Sequence, residues 1–455
     1  MSTLASTVSN RPARRPRPPV DPARTAAYEL VRAVSADGAF ANLALPALLT
    51  RHGLAGRDAA FATELAYGTV RCAGTLDEIV AACVDRPLDA VDPAVLDLLR
   101  LGAYQALRTR VPVHAAVAAT VDLAHTAGQG RAAGFVNAVL RRVAVYDWPA
   151  WAAELTAGAG PARRLAVRTA HPEWVVTAFA AALADTSAEL TETAAALLAD
   201  DERPRTHLVA WPGRSDRDTL AGAAGGDPGP WSPYAVRMRG GDPAALADVR
   251  ARRAGVQDEG SQLCALALAA APVDGADERW LDLCAGPGGK AALLAALAGE
   301  RGATLHANEQ RPHRAELVRK VTAAWDVEVT VGDARDYPGR GFDRVLLDAP
   351  CTGLGALRRR PEARWRRSAA DVPELAALQR DLLAAALART RPGGVVAYVT
   401  CSPHLAETQD VVAGHELVDA RPLFPGVPSL GNGPTVQLWP HRHGTDAMFC
   451  ALIRA

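Results

Sequence analysis

Two cysteines of this 455-residue chain each follow an apolar run and precede a polar loop. Cys351 ends the segment "VLLDAPC", and Cys401 ends the segment "VVAYVTC". Short apolar runs of this kind predict buried strands, so both thiols are expected at strand ends. A thiolate in such a place is a nucleophile that can bond covalently to a substrate. Asp348, three residues before Cys351, adds a carboxylate that can hydrogen-bond a substrate or a cofactor.

The cysteine pattern also limits other chemistry. The chain has seven cysteines, an odd number, with no CxxC pair and no Cys/His spacing that suits zinc. We therefore expect free thiols in a reducing compartment and no metal site. The four cysteines outside the motifs, Cys72, Cys83, Cys264 and Cys450, are expected to be structural.

A third motif, "LDLCAGPGGK", has the order strand, glycine-rich loop, helix. Gly286, Gly288 and Gly289 lack a Cβ, so the backbone can turn tightly and approach a ligand at the helix N-terminus. The loop does not match the phosphate-binding pattern GxxxxGK[ST], because Ala291 follows Lys290. Taken alone, however, such a loop also fits a nucleotide.

Two acids further along the chain separate these alternatives. Glu309 ends the second predicted strand of this region and could bind a ribose diol, and Asp333 follows the third strand and could hold an adenine amino group. A loop followed by two such acids fits S-adenosylmethionine better than a dinucleotide with its pyrophosphate. The predicted cofactor-binding residues are Cys284, which contributes through its backbone, Ala285, Gly286, Pro287, Gly288, Gly289, Lys290, Glu309, Arg314, Asp333 and Asp348.

Arginines follow Cys351 closely in the segment "LRRRPEARWRR". A run of arginines is usually a solvated surface. Beside a site that modifies a nucleic-acid base, such a run would instead predict contact with phosphates, expected at Arg358, Arg359, Arg360 and Arg364. If the substrate is a nucleic-acid base, the base must leave its stack to reach a thiol, so an RNA loop or bulge is favoured.

Short apolar runs and helical segments alternate from about Val256 to the C-terminus. This alternation predicts a mostly parallel, doubly wound α/β sheet with its site at the carboxyl ends of the strands. Residues 256–455 are therefore expected to form a Rossmann-like catalytic domain.

The front of the chain has a different pattern. Apolar residues at spacings of three and four predict an all-helical bundle over residues 21–147. Residues 148–255 are expected to form a small α/β linking subdomain, in which the Gly/Pro-rich segment 224–233 is a loop. Residues 1–20 carry arginines and prolines and are predicted to be a disordered basic arm.

Composition excludes several classes of protein. Apolar residues make up 49% of the chain and charged residues 22%, a balance typical of folded domains. The formal net charge is zero, which argues against a protein that coats nucleic acid over its whole surface. Without a signal-peptide pattern or a run of 18 apolar residues, the chain is expected to be cytoplasmic and not to bind a membrane.

Several phrases of the sequence resemble motifs of known families. The phrases "RDAAFATELAYGTVR", "LLRLGAYQAL", "VPVHAAVAATVDLA" and "GFVNAVLRR" together resemble a NusB-like RNA-binding module. "LDLCAGPGGK", "DAPCTGLGALRRRPEARW" and "YVTCSP" resemble the RNA (cytosine-5)-methyltransferase family. With both parts, nearly the whole chain is similar to the Fmu/Sun type of 16S ribosomal RNA methyltransferase.

The resemblance implies a covalent mechanism that uses S-adenosylmethionine to form 5-methylcytidine in small-subunit ribosomal RNA. It implies that Cys401 attacks C6 of cytosine. It also implies that Cys351 assists loss of the C5 proton and release of the enzyme from the adduct. Asp348 would hydrogen-bond the base. Many relatives carry an Asn between two acids after the nucleophile, where this chain has Glu407, Thr408 and Gln409, which puts in doubt the hydrogen bonds of that loop.

Three rival functions remain at this stage. A transfer-RNA cytosine-5 methyltransferase would share the catalytic motifs without needing the helical front domain. A DNA cytosine-5 methyltransferase uses the "PC" cysteine with an "ENV" motif, which this chain lacks. A NusB-like RNA-binding or antitermination factor could carry an inert methyltransferase half, although both cysteines, Asp348 and the glycine loop are intact. We expect a monomer.

Overall fold

The structure, a computed structural model, describes residues 21–455. These residues form two compact units, the first ending at Trp151 and the second spanning Ala152–Ala455. The basic arm predicted for residues 1–20 lies outside the described residues.

The first unit is helical, as predicted. Its helices are α1 (Pro22–Asp37), α2 (Ala41–Arg51), α3 (Gly56–Arg71), α4 (Ala73–Ala82), α5 (Pro93–Arg108), α6 (Val113–Thr126), α7 (Ala133–Val143) and the start of α8 (Trp148–Leu155). Helix α5 is central, because it packs against α1, α3, α4, α6 and α7. Its close packing requires Gly102, where a Cβ would lie 2.6 Å from a methyl group of Leu140.

The second unit begins with helices and a small antiparallel sheet. Its first elements are α9 (Pro161–Arg168), α10 (Glu173–Leu183), α11 (Thr191–Asp201), β1 (His207–Ala210), α12 (Arg217–Ala223), β2 (Gly226–Pro228), β3 (Ala235–Met238), α13 (Ala247–Arg250) and β4 (Ala254–Val256). The strand order is β2-β3-β1-β4. Strand β2 lies in the segment expected to be a loop, and as an edge strand it accommodates Pro228, which cannot donate to a ladder. The boundaries of a separate linking subdomain stay a prediction.

The remaining elements build a larger sheet. They are α14 (Glu259–Ala270), β5 (Arg279–Asp282), α15 (Gly289–Glu300), β6 (Thr304–Glu309), α16 (Pro312–Thr322), β7 (Val327–Val331), β8 (Phe342–Asp348), α17 (Ala363–Arg366), α18 (Val372–Arg389), β9 (Thr390–Thr400), α19 (Gln409–Val412), β10 (Leu417–Val418), β11 (Val436–Gln437), α20 (Pro440–His443) and β12 (Phe449–Arg454).

The topology of this sheet confirms the predicted fold class. The strand order is β10-β12-β9-β8-β5-β6-β7, with β11 paired to β12. Strands β5 to β9 run parallel to their neighbours, and β12 pairs antiparallel with β9. Because β5 lies between β6 and β8, the loops after β5 and β8 share the carboxyl edge of the sheet, where a doubly wound fold places its ligands.

Two features are absent from residues 21–455. No helix among them is long and apolar enough to cross a membrane. They also contain no cluster of three or more His, Cys, Asp or Glu side chains that could hold a metal ion.

Candidate active site

The structure brings the two motif cysteines together. Cys351 follows β8 and Cys401 follows β9, two adjacent parallel strands in which Asp348 pairs with Val399. The two Sγ atoms are 3.5 Å apart, within hydrogen-bond distance for thiols. Both side chains are partly buried. A substrate atom at this edge of the sheet can therefore meet both thiols.

The surroundings of the two thiols make them unequal. The pKa of Cys401 is lowered by the hydrogen bond from Cys351, and the positive charges of Arg360 and Lys290 act in the same direction, against burial and Asp348. The pKa of Cys351 is raised well above its usual value by its hydrogen bond to Cys401, by burial and by the negative charges of Cys401 and Glu407. Of the two groups, Cys401 therefore ionises more readily, and Cys351 keeps its proton and can donate it in a hydrogen bond to Cys401.

Asp348 forms an ion pair beside the thiols. Lys290 Nζ lies 2.9 Å from Asp348 Oδ2, and the lysine is almost completely buried, whereas the aspartate side chain is 31% exposed. Burial alone would lower the pKa of Lys290, but the negative charge of Asp348 outweighs it and the pKa is raised. The ammonium therefore stays charged and orients Asp348, which keeps one face toward solvent.

Hydrogen bonds from the end of β6 and the start of α16 hold the predicted cofactor loop in place. Glu309, at the end of β6, accepts a hydrogen bond from Gly286 N at 3.0 Å and another from Arg311 N at 2.9 Å. Arg314 donates to the carbonyl oxygen of Gly286. The tight turn requires glycine at position 288, where φ is +112°. The structure thus joins Glu309 and Arg314 to the loop, as expected for one binding site.

Asp333 lies on the neighbouring strand end. Gly332 N donates to the carbonyl oxygen of Glu309 at 3.3 Å, which places Asp333 next to the end of β6. Its carboxylate binds Arg335, at 2.7 Å for the closest pair of atoms, and this hydrogen bond lowers the pKa of Asp333 to about 2. Asp333 therefore offers an ionised acceptor at the position predicted for an adenine amino group.

The arginine segment differs from the expectation. Arg358 is 8% exposed and Arg364 is completely buried. Arg358 Nε lies 2.9 Å from Asp446, and Arg364 Nη1 lies 2.9 Å from Asp201. Arg359, which is half-buried, binds Asp258 and Asp446 at 2.8 and 2.9 Å.

These contacts correct the set of phosphate-binding residues. A buried guanidinium paired with an aspartate cannot also contact a phosphate in this conformation, so Arg358 and Arg364 instead hold the loop after Cys351 to the rest of the second unit. Arg359 is engaged in the same way. Of the four arginines predicted to bind RNA, Arg360 is the one whose side chain is exposed.

Comparison with known proteins identifies the family. Residues 267–454 match the model of the 16S rRNA methyltransferase RsmB/F family, and residues 21–145 match the NusB family. The Mycobacterium tuberculosis protein Rv1407 is 57% identical over 449 residues, which cover 96% of this chain and 97% of that one. Ribosomal RNA small subunit methyltransferase B of Pseudomonas putida is 35% identical over 404 residues, 86% of this chain and 87% of that protein. The chain belongs to the RsmB/F family.

Solved structures support the fold of this RsmB/F protein. The crystal structure of PH0851 superposes with a TM-score of 0.79 at 21% identity, over 96% of this chain and 99% of that one. NSun6 from Pyrococcus horikoshii, solved with SFG, gives a TM-score of 0.52 at 20% identity, over 62% of this chain and 98% of that one. The family match and the relatives named above confirm the resemblance, and the chain is an S-adenosylmethionine-dependent RNA methyltransferase.

A buried carboxylate provides a structural test of the cofactor assignment. Asp282, the last residue of β5, is completely buried, and within residues 21–455 its carboxylate oxygens make no hydrogen bond of good geometry, although the backbone N–H of Cys284 points toward them. Burial, with the nearby charge of Asp348, raises its pKa to about 8. An unpaired buried carboxyl group is costly unless a ligand supplies donors. S-adenosylmethionine carries ammonium and hydroxyl donors, so the residues fit this cofactor in the RsmB/F site.

Two residues of the RsmB/F site were missed by the sequence reasoning. The sequence contains a feature that points to Asp282, since it is a charged residue inside the apolar run "WLDLC" immediately before the glycine loop. In the sequence Glu407 stands out only as part of a departure from the family pattern, yet it is completely buried and hydrogen-bonded to both cysteine loops. Its role could not be read from spacing, because its partners come from three separate segments.

Proposed function

We propose that this methyltransferase acts on C5 of a cytosine in 16S ribosomal RNA, with Cys401 as the nucleophile. The observation that carries the proposal is the pair of thiols 3.5 Å apart, with pKa values shifted in opposite directions, at the sheet edge that also holds Asp348. The family match and the name of the Pseudomonas putida relative support the ribosomal substrate.

The first step of the proposed reaction uses Cys401. Its thiolate adds to C6 of cytosine, the S–C6 bond forms, and the electron pair of the C5–C6 double bond moves toward C5. C5 becomes nucleophilic and bonds to a methyl group. The glycine loop, Glu309 and Asp333 would hold S-adenosylmethionine, which would supply that methyl group from its sulfonium and be left as a neutral thioether.

The second step uses Cys351. Once Cys401 is bonded to C6, its negative charge and its acceptor role are gone, so two causes of the high Cys351 pKa disappear. Cys351 can then lose its proton to water and take the C5 proton as a thiolate. The C5–C6 double bond re-forms, the S–C6 bond breaks, and Cys401 leaves as a thiolate that again accepts a hydrogen bond from Cys351.

Asp348 is proposed to bind the base. Its carboxylate can accept hydrogen bonds from the exocyclic amino group of cytosine and from a protonated N3. A proton that N3 takes from water as C6 is attacked withdraws electrons from the ring and favours the attack, and it returns to water when the C5–C6 double bond re-forms. Lys290 fixes the carboxylate from the buried side, which leaves its exposed side for the base.

Bisulfite sequencing of ribosomal RNA from a deletion strain tests the substrate. We expect one cytosine of 16S RNA to become susceptible to conversion by bisulfite. A plasmid copy of the wild-type gene should restore its resistance. A Cys401→Ala copy should not restore resistance, because the nucleophile is absent. Unchanged 16S RNA together with loss of a mark in transfer RNA would contradict the ribosomal assignment.

The exposed Arg360 gives a prediction for RNA binding. Arg360→Ala should weaken RNA affinity and reduce the slope of log K against log salt by about one, as expected for one lost phosphate contact. Titrations without S-adenosylmethionine avoid turnover. Arg421→Ala is the matched control, since Arg421 is a partly exposed arginine that is already paired with Asp419. An unchanged salt slope for Arg360→Ala would remove this residue from the RNA-binding surface.

A further inference from the structure

Glu407 connects the two loops that carry the cysteines. Its Oε1 accepts hydrogen bonds from Thr352 N at 2.7 Å and from Gln379 Nε2 at 3.2 Å. Its Oε2 accepts from Thr352 Oγ1 at 2.5 Å and from Ser402 Oγ at 2.6 Å. Four donors therefore meet one carboxylate whose residue is completely buried.

The donors to Glu407 lie next to the two cysteines. Thr352 directly follows Cys351, and Ser402 directly follows Cys401. Gln379, on α18, also donates to the carbonyl oxygen of Pro350 at 2.9 Å, on the other side of Cys351. One carboxylate thus fixes the backbone on both sides of Cys351 and the residue next to Cys401.

The network also leaves a negative charge beside one of the thiols. All four donors to Glu407 are uncharged groups, so they satisfy the carboxylate without neutralising it. The titratable groups that face Cys351 are Cys401, Glu407 and Tyr398, and the backbone N–H of Gly353 also points toward it. Lys290 and Arg360, by contrast, act on Cys401.

We propose that Glu407 is a positioning residue that fixes the separation of Cys351 and Cys401 and keeps the proton on Cys351. The proposal rests on the roles proposed above for the two cysteines. It explains how two thiols in one pocket remain distinct: the carboxylate disfavours charge on Cys351, while the cations favour charge on Cys401.

The test measures the ionisation of Cys351 in full-length protein without RNA. In a Cys401→Ala background, the rate of iodoacetamide alkylation of Cys351 is followed against pH, and peptide mass spectrometry distinguishes Cys351 from the other thiols. Adding Glu407→Gln, which keeps the size and removes the charge, should lower the alkylation midpoint by about one pH unit or more. Glu416→Gln is the matched control, because Glu416 is exposed and should leave the midpoint unchanged.

Two further variants keep the test decisive. Glu407→Asp retains the charge and should keep the midpoint near that of the background protein, which a purely structural role would not require. If Glu407→Gln fails to fold, Glu407→Leu combined with Thr352→Val removes the carboxylate together with one of its donors. The pH midpoint for alkylation of Cys351 should fall by the same amount. Coinciding midpoints with and without the carboxylate would overturn the proposal. Because no RNA is present, this result is independent of whether Cys401 attacks cytosine.

Discussion

Cys351→Ala is expected to leave RNA covalently attached to the protein, whereas Cys401→Ala should form no adduct. Both changes remove one thiol from the same pocket, and the two Sγ atoms are only 3.5 Å apart. Opposite results therefore follow only if the thiols act at different steps. The nucleophile forms the S–C6 bond, and the second thiol allows that bond to break.

The physical basis of this asymmetry is the distribution of charge around the pair. Cys401 is the thiol with the lowered pKa, so it is the better nucleophile near neutral pH. Without Cys351, Cys401 loses the hydrogen bond that lowers its pKa most, but the positive charges of Arg360 and Lys290 remain, so attack on C6 can still occur. Removal of the C5 proton should then slow by about 100-fold or more, the usual contribution of a positioned base.

Denaturing electrophoresis after incubation with S-adenosylmethionine and 16S RNA separates these outcomes. Cys351→Ala should give a slowly migrating protein–RNA band that survives denaturation. The double variant should give none, because the nucleophile acts first. A stable adduct from Cys401→Ala would reverse the roles of the two cysteines.

Gly288→Val is expected to lower the affinity for S-adenosylmethionine by about 100-fold or more, because the loop cannot keep its conformation. At φ +112° a β-branched residue is strained, and a Cβ would lie 2.4 Å from a methyl group of Val321 and 3.1 Å from Cα of Val318. These atoms belong to α16, so the added side chain would push the loop away from this helix. The effect arises from displacement of the backbone that contacts the cofactor.

Isothermal titration calorimetry measures the affinity of this variant directly. Gly299→Val is the matched control, since Gly299 lies near the exposed C-terminal end of α15, the helix that begins directly after Gly288, and a Cβ there would meet its nearest atom only at 3.9 Å. The control should bind normally. Normal binding by Gly288→Val would show that this loop does not hold the cofactor.

Much of the catalytic fold could be predicted from the sequence. Alternation of apolar runs with helical segments predicts parallel strands, and the carboxyl ends of such strands share one edge. That argument alone places Cys351 and Cys401 near each other although they are fifty residues apart, and the structure puts them in hydrogen-bond contact. The glycine loop and Glu309 follow from the same argument.

The predictions from sequence that failed concern side chains whose contacts come from distant segments of the chain. The arginine run has the pattern of a solvated or RNA-binding loop, but Asp446, Asp258 and Asp201 hold three of its members, across 87 to 163 positions of the chain. Glu407 has the same difficulty, since its donors come from the loop after β8, the loop after β9 and α18. Periodicity gives the faces of elements, and it does not give the pairing of polar groups that the folded chain brings together.

The measurement that tests the central claim most directly is the mapping of a trapped adduct. RNA with 5-fluorocytidine at the target position should trap the wild-type enzyme, because the C5 fluorine cannot be removed as a proton is. After digestion with nuclease and protease, mass spectrometry locates the modified residue. We predict that the nucleotide is attached to the peptide that contains Cys401. Attachment to Cys351, or no adduct with an enzyme that binds S-adenosylmethionine and RNA, would contradict the account.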